Sequence, residues 1–118
     1  MKVYIGPYTK KKIIRVRIDD YDVWSLDYTL ALIITPALKY YRKYHHGSPH
    51  MKEFFDEKTG KTLPGLHKKW DEIIDKMVWS FEAILRDDDL EQKNHKKYTE
   101  RIEEGLRLFA EYFRALWD

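Results

Sequence analysis

Two hydrophobic periods divide the chain. Near the N-terminus, Ile14, Val16 and Ile18 alternate with Ile13, Arg15 and Arg17. Period two with β-branched residues predicts a half-buried strand. Val3-Tyr4-Ile5 is a second β-prone run, stopped by Gly6-Pro7. Together they predict a hairpin over 1–20. A lone hairpin is marginal in water, so it has to pack on helices or on another subunit.

Beyond the acidic turn Asp19-Asp20-Tyr21-Asp22 the period lengthens to that of a helix. Leu26, Leu30, Ile33, Ile34, Ala37, Leu38 and Tyr41 form the stripe of a first helix over 22–46, capped by Asp22 or Ser25. Pro36 lies inside it and should kink it, or break it near Thr35. Leu30–Ile34 is apolar all round, which predicts a central helix buried on several sides. Gly47 and Pro49 end it. The stretch 47–65 reads as a loop with one short helical turn. Leu66, Trp70, Ile73, Ile74, Met77, Phe81 and Ile84 or Leu85 mark a second helix over 66–86. Tyr98, Ile102, Leu106, Phe109, Phe113 and Leu116 mark a third over 89–117, with one of Asp87, Asp88 or Asp89 as its cap. Gly105 interrupts this helix at a cost of about 1 kcal/mol relative to alanine, so it either admits a close helix contact or is simply tolerated. The expected architecture is mainly α with a short N-terminal β-hairpin, an α+β single domain built on a three-helix bundle.

Composition narrows the chemistry. With 118 residues the chain is about one domain long. No run approaches the length of a membrane span, and the first residues lack the apolar core of a secretory signal. Cysteine is absent, which excludes disulfides, thiolate metal sites and cysteine nucleophiles. A net charge of +2 argues against nucleic acid as a partner. Aromatic residues make up 15% of the chain, including four Trp. Trp70 falls in a core stripe. Trp79 lies one position off its stripe, to face a second element or another subunit, Trp24 sits at the N-terminus of the first helix, and Trp117 lies beside Leu116 at the end of the third stripe; together this is more apolar surface than one helical layer needs. That predicts a homo-oligomer, most simply a twofold dimer.

No phosphate-loop or nucleophile-elbow motif is present. His45, His46 and His50 match no standard zinc spacing and read as a solvated helix terminus; His67 and His95 read as surface residues. Glu72 and Asp75, three apart on one helix face, with Glu82 beyond, resemble half of the Glu-x-x-Glu pattern by which helical nucleotide pyrophosphatases hold Mg²⁺. Acids so spaced are common in a chain with 36% charged residues, so Mg²⁺ is the alternative and no cofactor the expectation. The cationic and aromatic side chains are better concentrated. No acid occurs between Asp27 and Glu53. Arg15, Arg17, Arg42 and Lys43 could grip phosphates, while Trp24, Tyr28 or Tyr44 stack on a base beside His46. Against this, Arg15 and Arg17 have Asp19, Asp20 and Asp22 close by as partners, and the tyrosines could be packing.

The run Arg15-Val16-Arg17-Ile18-Asp19-Asp20-Tyr21-Asp22-Val23-Trp24-Ser25-Leu26-Asp27 resembles a signature in small proteins of tailed bacteriophages and uncultured viral genomes. So do His46–Pro49, Trp70-Asp71-x-x-x-Asp75-x-Met77-x-x-x-Phe81-Glu82, and Arg101-x-x-x-Gly105-x-x-Leu108-Phe109-x-x-Tyr112-Phe113-x-x-Leu116-Trp117-Asp118. Members often carry a longer acidic insert where this chain has Met51–Leu66, so that loop is not their common functional element. The resemblance implies viral origin and action in the cytoplasm of an infected bacterial host. By analogy with small phage counter-defence factors, the expectation is a non-enzymatic protein that sequesters an anionic, nucleotide-like immune signal. The alternatives are a Mg²⁺-dependent nucleotide hydrolase using Glu72, Asp75 and Glu82, and a protein that inhibits a host enzyme by direct contact.

Overall fold

A computed structural model describes residues 1–7, 13–86 and 95–117. The first strands are β1 (Lys2–Gly6) and β2 (Ile13–Arg17), paired antiparallel with Val3 opposite Val16 and Ile5 opposite Ile14. A 3-10 turn at Asp20–Val23 leads into α1 (Leu26–Tyr44). The connection to the next helix carries a 3-10 turn at Lys52–Phe54 and a two-residue strand pair, β3 (Phe55–Asp56) with β4 (Lys61–Thr62). Then come α2 (Leu66–Arg86), α3 (His95–Tyr112) and a last 3-10 turn at Phe113–Ala115. The protein is mainly helical with a short N-terminal hairpin, as the periodicities predict. The expected Asp87–Asp89 cap lies outside the described residues, as do residues 8–12 between the two strands.

The middle of the helical layer is α2, which packs against both α1 and α3. Trp70, Ile74 and Met77 on α2 are fully buried, with Ile73 and Phe81 beside them. Burial of each such side chain contributes roughly 1.5–3 kcal/mol. Rings interlock across the layer: Trp70 meets Tyr41 of α1 and Tyr112 of α3 edge-on, and Phe81 meets Phe109 with centroids 5.0 Å apart. The central position expected of α1 therefore belongs to α2. Ala31, Thr35 and Leu38 are the buried side of α1, whereas Leu30, Leu32 and Ile33 stay more than 40% exposed. Between α1 and α3 the layer opens into an apolar groove of about 350 Å³ lined by Ile33, Ala37, Phe109 and Phe113 among others.

Three further local features sharpen the expectation. Helix α1 runs unbroken through Pro36, which faces outward. The carbonyl that proline deprives of a donor belongs to Leu32, also on the exposed side, where water can replace the bond. The loop 47–65 is more ordered than a single helical turn. Asp56 accepts from the Lys58 amide and the Thr59 hydroxyl, and Gly60, at φ +69°, closes the turn by donating to the Asp56 carbonyl at 2.8 Å. Trp79, off the α2 stripe, turns to α3, where the Arg101 guanidinium lies 3.8 Å from its ring centroid.

Candidate functional site

The eight expected ligand residues fall into two groups at opposite ends of α1. Arg15, Arg17, Trp24 and Tyr28 lie at the hairpin end. Arg42, Lys43, Tyr44 and His46 lie at the other. Tyr28 and Tyr44 are sixteen residues apart on or at the ends of one helix, about 24 Å at 1.5 Å per residue. A single nucleotide cannot touch both groups within one chain.

Strand register builds the hairpin end. Side chains opposite each other across an antiparallel pair share a face. Val3 and Val16, with Ile5 and Ile14, therefore form one face, and Lys2 with Arg17, and Tyr4 with Arg15, form the other. Among the described residues both faces stay largely open: Ile5, Ile14 and Val16 are 60%, 63% and 52% exposed, and Tyr4 is 54% exposed. Arg17 leans on Asp19 at 3.3 Å, and Arg15 has no ion pair among the described residues. One side of the hairpin is thus greasy and the other carries three cations around a tyrosine. The feature was legible in the sequence. The first eighteen residues hold six basic residues and no acid, which leaves 16 basic against 20 acidic residues in the remainder. Lys2 and Tyr4 are missed by reading β2 alone, because it is the register that sets them beside the two arginines.

The base of the hairpin is anchored by Asp22, buried between the Met1 amino group at 2.7 Å and the Asp19 amide at 2.7 Å. These two donors hold its carboxyl below the usual carboxylate range. Trp24, 80% exposed, follows two residues later, and Tyr28 lines a small cleft with Met1 and Val3.

At the far end of α1 the cations are already engaged. The Arg42 guanidinium donates to Asp75 at 2.8 Å and lies 3.3 Å from Asp71. The Asp75 bond raises its already high pKa further. Lys43 sits over the Tyr44 ring, which packs on Tyr40. His46 lines a cleft of about 390 Å³ with Tyr41, Pro49, Ala115 and Trp117. The three carboxylates expected to hold Mg²⁺ have separate surroundings. Asp75 faces Arg42, Glu82 faces Lys39 at 3.3 Å, and Glu72 is exposed. The described residues bring them to no common centre.

A cluster that the sequence reading did not assemble lies at this same end of α1. His45, at the C-cap of α1, is turned inward, its side chain 1% exposed. Its ring stacks on His67 of α2, centroids 4.6 Å apart, and its Nε2 lies 2.6 Å from Asp71 Oδ1. His67 and Asp71 are one helical turn apart and so share a face of α2. The signal was present as His-x-x-x-Asp at 67–71, but its third member comes from another helix.

Comparison with protein-family models, with curated proteins and with solved structures finds no match for this chain.

Proposed function

We propose that the protein is a self-associating, non-enzymatic binder of a phosphate-bearing, nucleotide-like ligand, and that the N-terminal hairpin carries both properties. One observation supports this reading. The hairpin stands uncovered, apolar on one face and cationic on the other. Its apolar face is the boundary with a second copy. Its other face presents Arg15, Arg17 and Lys2 to phosphate oxygens, with Tyr4 as a platform for a base. Arginine forks match phosphate geometry, and base–aromatic stacking is tolerant of base identity. Trp24 and Tyr28 extend the site at the hairpin base. Arg42, Lys43, Tyr44 and His46 drop out of it, because Arg42 is neutralised by two aspartates and the group lies a helix length away. In the setting that the phage resemblance implies, such a protein acts in the infected bacterial cytoplasm by sequestering an immune-signal nucleotide.

The test is equilibrium titration with a panel of cyclic and ADP-ribose-type nucleotides. At least one should bind with Kd below about 100 μM. The double variant Arg15→Glu/Arg17→Glu should weaken that binding more than about tenfold and leave the helical circular dichroism unchanged. Weaker binding across the whole panel sinks the reading and turns the hairpin into a candidate surface for a host protein.

A further inference from the structure

We infer that His45, His67 and Asp71 form a binding site for a divalent transition metal ion, zinc above all. The site is separate from the hairpin and does not depend on its ligand. One ligand atom from each residue falls within 4.8 Å of the others.

The hydrogen bonds around the two rings orient them for this. The Gly47 carbonyl can only accept, so the contact at 2.9 Å requires His45 Nδ1 to donate. That places the second nitrogen, Nε2, against Asp71 Oδ1 at 2.6 Å. A carboxylate oxygen and a bare imidazole nitrogen repel at that distance. At 2.6 Å only a proton fits between them, and a metal ion can take the proton's place once the pair opens. The same arrangement recurs at His67. Its Nδ1 meets Ser48 Oγ at 3.1 Å, a hydroxyl able to accept from it in the tautomer that leaves Nε2 bare, and its Nε2 faces Asp71 Oδ2 at 3.8 Å. An oxygen acceptor behind Nδ1 and a ligand position at Nε2 is the outer-sphere pattern of metal-bound histidine. Two imidazoles and one carboxylate suit zinc, with a water or anion as the fourth ligand.

Distance and charge are compatible with an ion. Tetrahedral zinc with bonds near 2.0–2.1 Å needs ligand atoms about 3.3 Å apart. The closest pair must open by about 0.7 Å, and no pair has to close by more than about 1.5 Å. His67, with a 57% exposed side chain, is free to make the larger movement. Arg42 is the one nearby cation in the cluster's ion pairs, and it is shared by Asp71 and Asp75. One guanidinium between two carboxylates leaves the group with one net negative charge, so a metal ion enters an anionic setting.

Zn²⁺ and Co²⁺ titrations of the purified, metal-stripped protein test this. About one equivalent of Zn²⁺ should bind, and Co²⁺ should give the visible absorption of a low-symmetry four-coordinate site. His67→Ala, at an exposed position, should weaken Zn²⁺ binding more than about tenfold without loss of helix content. Asp71→Asn should do the same, and His50→Ala should change nothing. Failure to bind Zn²⁺, or binding that survives both His67→Ala and Asp71→Asn, overturns the inference and leaves a proton shared between His45 and Asp71.

Discussion

Gly105 shows how one residue can carry the contact between two helices. A Cβ built there would overlap Ser80 Oγ and stand 2.5 Å from the Lys76 carbonyl oxygen. Ser80 itself donates to the Arg101 carbonyl at 3.2 Å. Of the two readings the sequence allowed, close contact is the one the structure takes. The sign of Gly105→Ala is then decided by packing. Helix propensity alone favours alanine by about 1 kcal/mol. The overlap, with a backbone atom that cannot rotate away, costs about 1–3 kcal/mol or more. Urea unfolding should show net destabilisation, and Ser80→Ala should not rescue it, because the Lys76 carbonyl remains. A rise in stability would mean that α3 can slide on α2 freely. At this scale the sequence identifies chemical capacity and not commitment. It shows that Arg42 can grip a phosphate; only the fold shows Asp71 and Asp75 already in its grip.

Among the elements, α1 was legible in extent but not in orientation. Its apolar positions exceed one stripe, and such a pattern does not say which side meets a neighbour. The fold spends Ala31, Thr35 and Leu38 on α2 and leaves Leu30, Leu32 and Ile33 outside. Helix α2 has one clean stripe, and its side facing α1 and α3 follows from that stripe. Pro36 on the outer side of α1 loses a hydrogen bond and packs against little. Pro36→Ala should therefore stabilise the protein, by up to about 3 kcal/mol, read as a raised thermal or urea midpoint with an unchanged m-value. A lowered midpoint would show that a bend at Pro36 is needed for α1 to follow α2. The β3–β4 pair eluded a hydrophobic-pattern reading because each strand has two residues, too few for alternation. Its signal is the Asp-x-x-x-Gly turn at 56–60.

At the scale of the whole molecule the chain is too open for its size. Its radius of gyration is 17.4 Å, against about 13.5 Å for a compact domain of this length. Its accessible surface is 9497 Å², about 2,700 Å² more than a monomer of this mass exposes. A standard interface buries about 800 Å² per partner, so the excess would supply a large obligate contact. The uncovered surfaces among the described residues are the apolar hairpin face, the outer side of α1 and the groove beside α3, and these are what the proposed self-association would cover. Light scattering coupled to size exclusion should give the mass of a dimer at micromolar concentration. Ile14→Lys/Val16→Lys should yield monomer with its helices intact. A monomeric parent chain would reject self-association and leave the nucleotide titration to stand by itself. No helix among the described residues is long and apolar enough to cross a membrane, so the exposed apolar area is not that of a span.

Periodicity along the chain determined the elements: a hairpin whose second strand has two chemically different faces, and three helices that supply the core. These depend on which residues are neighbours within one turn or one strand, and that information is local. The tertiary structure decided what required distant residues to meet. It placed α2 at the centre instead of α1 and parted the eight expected ligand residues into two groups. It also brought His45 of α1 against His67 and Asp71 of α2, because a contact between positions over twenty residues apart is written in the packing of helices and not in the spacing of either one.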